Sequence, residues 1–316
     1  MKKALAFLFP GQGSQSTGML AAFADAAAVT DTFAEASAAL GYNLWALVQN
    51  NLDGRLDQTE YTQPALLTAS VALLRLWRER DGAEAGHVAG HSLGEYSALV
   101  AAGSLGFSDA VTLVAFRGRQ MSRAVTNGTG CMAAIIGLAD DAITGICEEA
   151  SSGSEQVWAA NYNCPGQVVI AGHVAAVERA MAQARAAGAK RALVLAVSAP
   201  SHTPLMQPAA DAMRQRLEDV PLSAPDRIVW SNALAAPVTA PADIRVALVQ
   251  QLVTPVQWTQ IVQRMHAEGV CLGIEMGPGK VLGGLVRRIA RDMVVRQADA
   301  PTTLEGSLEF AGRDND

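Results

Sequence analysis

Cysteine is scarce, with four in 316 residues: Cys131, Cys147, Cys164 and Cys271. None forms a CxxC pair and each stands in an apolar or turn context, so reduced packing residues are expected, not a disulfide framework or a thiolate metal site. Basic residues do not predominate either. Thirty acidic side chains against 24 basic ones leave a formal charge of −6, which argues against nucleic acid as the main partner. No apolar run approaches the length of a membrane span. Lys2-Lys3 before Ala4 imitates the start of a secretion signal, but the apolar run ends after six residues at Pro10-Gly11-Gln12-Gly13. Charged residues make up only 17% of the chain and hydrophobic ones 50%, so there is ample surface to bury and disorder is excluded. A soluble, cytoplasmic protein is expected.

A chain of 316 residues is about two domains long, or one large domain with an insert. Residues 4–10 form an apolar segment that predicts a buried strand opening into a Gly-Gln-Gly loop. Helical periodicity covers 18–40, and Gln63-Pro64 start a long helix with Leu66, Leu67, Ser70, Leu73, Leu74 and Trp77 on one face. A short strand over 87–90, a sharp turn over 91–94 and another helix come next. A helix over 109–125 is predicted, with Ser108 as its N-cap. This strand–helix alternation predicts a parallel sheet wrapped by helices. Residues 131–196 differ: strand 132–136, helix 141–150, strand 157–162, a turn at 163–166, strand 167–171, helix 175–187 and strand 191–197. That βαββαβ order is the split, ferredoxin-like unit. The α/β core resumes near Ser198, with helices over 205–217 and 259–267 and a strand over 270–275.

Gly90-His91-Ser92-Leu93-Gly94 fits G-x-S-x-G between a predicted strand and a predicted helix. So tight a turn needs flanking glycines and pushes the serine hydroxyl out at the carboxyl end of the sheet. The helix that begins there aims unsatisfied N–H groups at any anion forming beside it. A serine nucleophile needs a base within hydrogen-bond reach. Of five histidines, His91 adjoins Ser92, but the turn should aim its ring away as a structural or solvent-facing group. His87, His173 and His266 suit surface positions. His202 stands in the loop Ser198-Ala199-Pro200-Ser201-His202, where a polar ring needs a reason; spacing alone leaves it one candidate base.

Arg117 is the third singular residue. The predicted helix carries an apolar stripe at Val111, Val114, Gly118, Met121 and Val125, and Arg117 falls at its edge while Arg119 and Arg123 fall on the far side. Two readings stand. One is an ordinary ion pair with one of the 30 acids; the other is a bidentate clamp on a substrate carboxylate, which a planar guanidinium suits.

Taken together, several segments resemble the bacterial malonyl-CoA:acyl carrier protein transacylase family. They are Gly11-Gln12-Gly13-Ser14-Gln15, Thr62-Gln63-Pro64-Ala65, Gly90 through Ala98, Arg117-Gly118-Arg119, Ser201-His202, Pro255-Val256-Gln257-Trp258 and Glu275-Met276-Gly277-Pro278-Gly279. The match is collinear over about residues 4–290. The resemblance implies an α/β-hydrolase-like core over 1–128 and 198–316, with a ferredoxin-like insert over 129–197. It implies that Ser92 is the nucleophile, His202 its general base and Arg117 the binder of the malonyl carboxylate. Backbone N–H groups of Gln12 and Leu93 would form the oxyanion hole, and the carbonyl of Gln251 would orient the histidine in place of an acid. The Asn161-Tyr162-Asn163 turn would line the cleft, with Asn163 as a substrate-binding residue. The implied reaction transfers malonyl from malonyl-CoA to the phosphopantetheine thiol of acyl carrier protein, for fatty acid synthesis, with no metal or redox cofactor.

Carrier proteins are acidic, so a local basic face is needed for docking. Lys190-Arg191 is one candidate; Arg287, Arg288 and Arg291 after Gly279 are the other, on a helix whose apolar side is Val281, Leu285 and Ile289. A solvated helix end favoured by the macrodipole is the alternative for those arginines. Same-class rivals are an acyltransferase of a polyketide synthase or of a malonate-decarboxylating complex, and a free-standing chain favours the fatty-acid role. A serine esterase would not need Arg117, and a non-catalytic carrier-binding module would not need Ser92 with His202. Without heptads or a large exposed apolar stripe, a monomer is expected.

Overall fold

The computed structural model describes residues 4–126, 128–197 and 199–313. Lys2-Lys3, the expected junction at Ser198 and the last three residues lie outside the described ones. Among the described residues ten strands form two sheets. In chain order they are β1 (Ala4–Phe9), β2 (His87–Gly90), β3 (Gly130–Ile136), β4 (Val157–Cys164), β5 (Gln167–His173), β6 (Arg191–Val194), β7 (Ile228–Trp230), β8 (Pro237–Val238), β9 (Val270–Glu275) and β10 (Val294–Gln297).

The larger sheet has the order β10-β9-β1-β2-β7-β8, parallel throughout except that β8 runs antiparallel to β7. Its centre is apolar on both faces because helices cover both. Leu5, Phe7 and Phe9 of β1 join one core cluster with the helix Thr59–Glu79, while Ala6 and Leu8 join a second with Trp258, Leu282 and Val286. In the register, Phe9 pairs with Gly90, so β1 and β2 end side by side. The loop after β1 and the turn after β2 therefore share the carboxyl edge of the sheet, where α/β proteins bind ligands.

The smaller sheet, β4-β5-β3-β6, is antiparallel and packs on the helices Asp140–Ala150 and Val174–Ala186 around its own core. Its β4 reaches the rest of the chain through backbone bonds between Tyr162 N and Val256 O and between Val256 N and Ala160 O, both 2.9 Å.

Several expectations need correction. The long helix begins at Thr59, with Pro64 inside it. The Thr62 hydroxyl bonds the carbonyls of Leu56 and Gln58 and helps hold the extra turn upstream of the proline. The helix Phe107–Arg123 is capped at Gly106; Ser108 instead bonds Glu35 Oε1 at 3.1 Å. Residues 18–40 hold a short 3-10 turn before the helix Ala27–Leu40. The Asn161-Tyr162-Asn163 segment is strand, not turn. The helix Val281–Ile289 stops before Arg291, and its buried face is Leu282, Leu285 and Val286, with Val281 exposed. At about 100° per residue Val281 stands roughly 90° from the centre of that face, at its edge. The helices Leu44–Asn50, Pro241–Val253 and Pro301–Arg313 carry weak or short patterns and went unanticipated.

Candidate active site

Steric exclusion builds the turn after β2. A Cβ on Gly90 would overlap the backbone of Gly94, and one on Gly94 would overlap the carbonyl of Phe9. Ser92 between them sits at φ +51°, a left-handed conformation that costs a non-glycine residue energy. Two side chains hold it there. Asn232 Oδ1 accepts from the Ser92 N–H at 2.6 Å, and Gln251 Nε2 donates to the Ser92 carbonyl at 2.9 Å.

The hydroxyl then faces two groups, a histidine and an arginine. His202 Nε2 lies 2.8 Å from Ser92 Oγ, and His202 Nδ1 donates to the Gln251 carbonyl at 2.7 Å. A carbonyl only accepts, so the neutral ring carries its proton on Nδ1 and offers the Nε2 lone pair to the serine. Arg117 NH2 donates to Ser92 Oγ at 3.3 Å and to Gln251 Oε1 at 3.0 Å, while NH1 donates to Gln63 Oε1 at 2.8 Å. The arginine is only 1% exposed, well inside the helix stripe's edge, and its guanidinium lies 5.5 Å from the Tyr96 ring centroid. Gly118 permits this depth: a Cβ there would come within 2.6 Å of the Thr59 carbonyl on the neighbouring helix.

No carboxylate touches the guanidinium in these bonds; its partners are two amide oxygens and a hydroxyl. The ion-pair reading of Arg117 thus loses its partner, and a buried cation faces the cleft with its charge uncancelled by contact. Burial pushes the His202 pKa down to about 3, helped by the Arg117 charge and opposed by the Gln251 carbonyl. The ring is therefore neutral at physiological pH, as a base must be. Glu95 lies behind the serine, 1% exposed, with burial raising its pKa to about 7 against the hydrogen bonds from Asn232 and Gln251.

Gln12 and Leu93 line the same cleft as Ser92, Arg117 and His202, and an apolar wall comes from Met132 and Val169 of the smaller sheet and from Leu195 and Val197 in the segment after β6. Gly11 brings the first loop in: a Cβ there would stand 2.5 Å from the His91 carbonyl. Gln12 Nε2 donates to Thr59 Oγ1 at 3.3 Å. Asn163 is placed differently from expectation. Its Oδ1 accepts from His91 Nε2 at 2.8 Å, leaving it 8% exposed, and Asn161 lines the cleft instead. Residues two apart share a face of a regular strand, and the register shift between Tyr162 and Cys164 is what sets Asn163 apart from Asn161. His91 is thus a structural ring, packed 5.7 Å from Trp258. His87 is buried rather than on the surface, accepting from Trp230 Nε1 at 3.3 Å.

Sequence reasoning missed four contributors: Gln63, Asn232, Glu95 and the side chain of Gln251. Each is a polar residue 1% exposed or less, and only the packing marks it out, since Thr62, Ser97, Ser231 and Gln250 beside them are polar too. Lys190, Arg191, Arg287 and Arg288 are all exposed. Arg288, however, donates to Gln167 Oε1 at 2.8 Å and to the Pro165 carbonyl at 3.2 Å, tying the helix to the β4–β5 turn. Among the described residues no cluster of His, Cys, Asp and Glu is arranged to hold a metal ion, and no helix is long and apolar enough to cross a membrane.

The chain matches the acyl transferase domain family over residues 6–307. It is 54% identical to the malonyl CoA-acyl carrier protein transacylase of Escherichia coli (strain K12) over 306 residues, 96% of this chain and 99% of that protein. The Bacillus subtilis (strain 168) protein of the same name is 42% identical over 99% of this chain and 98% of its own. The solved transacylase of Coxiella burnetii superposes with a TM-score of 0.96 at 45% identity, covering 98% of both chains. A malonyl-transacylase solved in complex with a type II PKS acyl-carrier protein superposes at 0.95 with 49% identity, covering 97% of this chain and 99% of that one.

Proposed function

The chain belongs to the acyl transferase domain family, and on that premise we propose a reaction in which Ser92 carries a malonyl group from malonyl-CoA to acyl carrier protein. Its relatives are malonyl-transacylases, and the same acyltransferase reaction, in the service of fatty acid synthesis, is the reading proposed for this chain. One observation carries the assignment of residues: a serine held in a strained turn, 2.8 Å from a neutral histidine and 3.3 Å from a buried arginine. In the first half-reaction Ser92 Oγ attacks the thioester carbonyl and its proton passes to His202 Nε2. Backbone N–H groups of Gln12 and Leu93 hold the tetrahedral oxyanion. The C–S bond breaks, the coenzyme A thiolate takes the proton, and a malonyl-serine ester remains. The phosphopantetheine thiol of the carrier then reverses these steps. Nothing in this sequence calls for a metal or redox cofactor.

We further propose an α/β-hydrolase-like core over 1–128 and 198–316 with a ferredoxin-like insert over 129–197. The serine turn after a parallel strand supports the first, and the βαββαβ order of the smaller sheet supports the second. We expect the protein to work in the cytoplasm as a monomer. Incubation with labelled malonyl-CoA and intact-mass measurement tests the function. A stable malonyl adduct, discharged by holo-acyl carrier protein, is expected; turnover to free malonate makes it a hydrolase, and no adduct makes it a binding module.

Arg117→Ala is expected to separate charge recognition from chemistry. Losing a buried, hydrogen-bonded charge partner costs about 2–5 kcal/mol, so malonyl transfer should fall roughly 30-fold or more. Transfer of the uncharged acetyl group should fall less or rise. Equal losses with both substrates would make Arg117 structural.

The carrier's acidic surface is proposed to meet the exposed basic groups Lys190, Arg191, Arg287 and Arg288. Since Arg288 is engaged with the β4–β5 turn, the cleaner test leaves it in place. Arg287→Glu with Lys190→Glu should raise the carrier KM about tenfold and flatten its salt dependence, with Ser92 acylation nearly unchanged. An unaltered carrier KM would move the docking surface elsewhere.

A further inference from the structure

Glu95 lies one turn beyond Ser92, in the first turn of the helix Gly94–Ala101, and is absent from the cleft lining. A buried carboxylate so close to a nucleophile, yet out of a substrate's reach, needs a role. Its Oε2 accepts two hydrogen bonds, from the Asn232 backbone N–H at 3.0 Å and from Gln251 Nε2 at 2.6 Å. Those two partners reach the rest of the site. Asn232 Oδ1 receives the Ser92 N–H, and Asn232 Nδ2 donates to the Gly90 carbonyl at 2.7 Å. Gln251 touches the Ser92 carbonyl through Nε2, Arg117 through Oε1 and His202 through its backbone carbonyl.

An amide can sit either way round, and only one way works here. With the Ser92 carbonyl and the Glu95 carboxylate both on the Nε2 side, the two N–H donors of Gln251 are committed. Its Oε1 is then left to face Arg117. Reversing the amide would set an NH2 group against the guanidinium, donor against donor, and would point an oxygen at a carboxylate.

Resting on the reading of Ser92, His202 and Arg117 given above, we infer that Glu95 is a positioning residue of the transfer reaction. By accepting from Gln251 and Asn232 it keeps serine, histidine and arginine in register. What matters is an acceptor at the place of Oε2; the negative charge is secondary. The two can be separated by substitution. Glu95→Gln keeps the length and can place its amide oxygen there. Glu95→Asp keeps the charge but draws it back by roughly 1.5 Å, one C–C bond, out of reach of Gln251.

Single-turnover acylation by malonyl-CoA at pH 8 tests this, alongside the rate of Ser92 labelling by a neutral fluorophosphonate. The second probe reports on serine and histidine without carboxylate recognition. Glu95→Gln is expected to stay within about threefold of the parent in both assays, and Glu95→Asp to lose tenfold or more in both. A charge role predicts the opposite order, so an Asp variant at parental rate, or a Gln variant as slow as Asp, overturns the inference. Folding losses are controlled by placing Glu95→Asp in a Gln251→Leu background. A further loss smaller than that of the single variant is expected there, because the bond from Gln251 is already gone and only the one from Asn232 is left to lose, and a full additional tenfold loss overturns the inference as well. Ser92→Ala run in parallel keeps the two readings apart: an adduct surviving on it defeats the proposed nucleophile, whereas its absence beside a fully active Asp variant defeats only the role of Glu95.

Discussion

Ser92→Ala should leave no malonyl adduct on the chain and no detectable transfer in either half-reaction. Covalent catalysis has no bypass when its nucleophile is removed. The neighbouring hydroxyls cannot substitute. Ser201 Oγ turns to the Ala199 carbonyl at 3.3 Å, and Thr59 Oγ1 receives the Gln12 amide, so neither has the histidine for a base. The variant should nonetheless fold as the parent does. The turn is held by bonds to the Ser92 backbone, from Asn232 and Gln251, and not by its hydroxyl. Intact-mass measurement after incubation with malonyl-CoA, together with a thermal melt, checks both halves. An adduct on a folded variant would place the nucleophile elsewhere.

His202→Ala is expected to slow acylation by 10³-fold or more, in line with loss of one member of a serine-based catalytic unit. The buried ring has no competitor: His91 is the nearest in sequence, and its Nε2 is engaged by Asn163. A loss below about tenfold would return the role to His91 or to a water. The pH profile adds a second measurement. With a pKa near 3, the free enzyme's histidine is neutral across the working range, so kcat/KM should show no limb from it near pH 6.5. Part of that lowering comes from the Arg117 charge. A malonyl carboxylate paired with Arg117 would cancel it, raising the histidine's proton affinity when the serine must be deprotonated. The acidic limb of kcat should therefore lie above that of kcat/KM, and Arg117→Ala should bring the two together.

Much of the architecture was legible because its signals are local. The apolar run of β1 ends at a Gly-Gln-Gly break, and Gly90 and Gly94 frame a serine because nothing larger fits the turn. The four strands of the smaller sheet follow from alternation and turn residues that need no knowledge of the rest. Helix ends were less legible, since tertiary contacts decide them. Thr62 helps draw one helix upstream past a proline, and another begins at Phe107, before Ser108, whose hydroxyl donates to Glu35. Arg291 drops off its helix at Ala290, whose backbone turns extended.

By itself, then, the amino-acid sequence determined the order of the strands through β6, the serine turn and the short set of residues from which a base and an anion partner had to come. Those properties depend on spacing along the chain, and spacing is what a sequence records. The tertiary structure alone decided which histidine meets Ser92 across 110 positions, and that Arg117 is held by amides instead of a carboxylate. It also decided that Glu95, Asn232 and Gln251 converge behind the serine from three separate segments. The reason is physical. A buried polar group must find its partner wherever the packed core brings one within 3 Å or so, and that distance is a property of the fold, not of the distance along the chain.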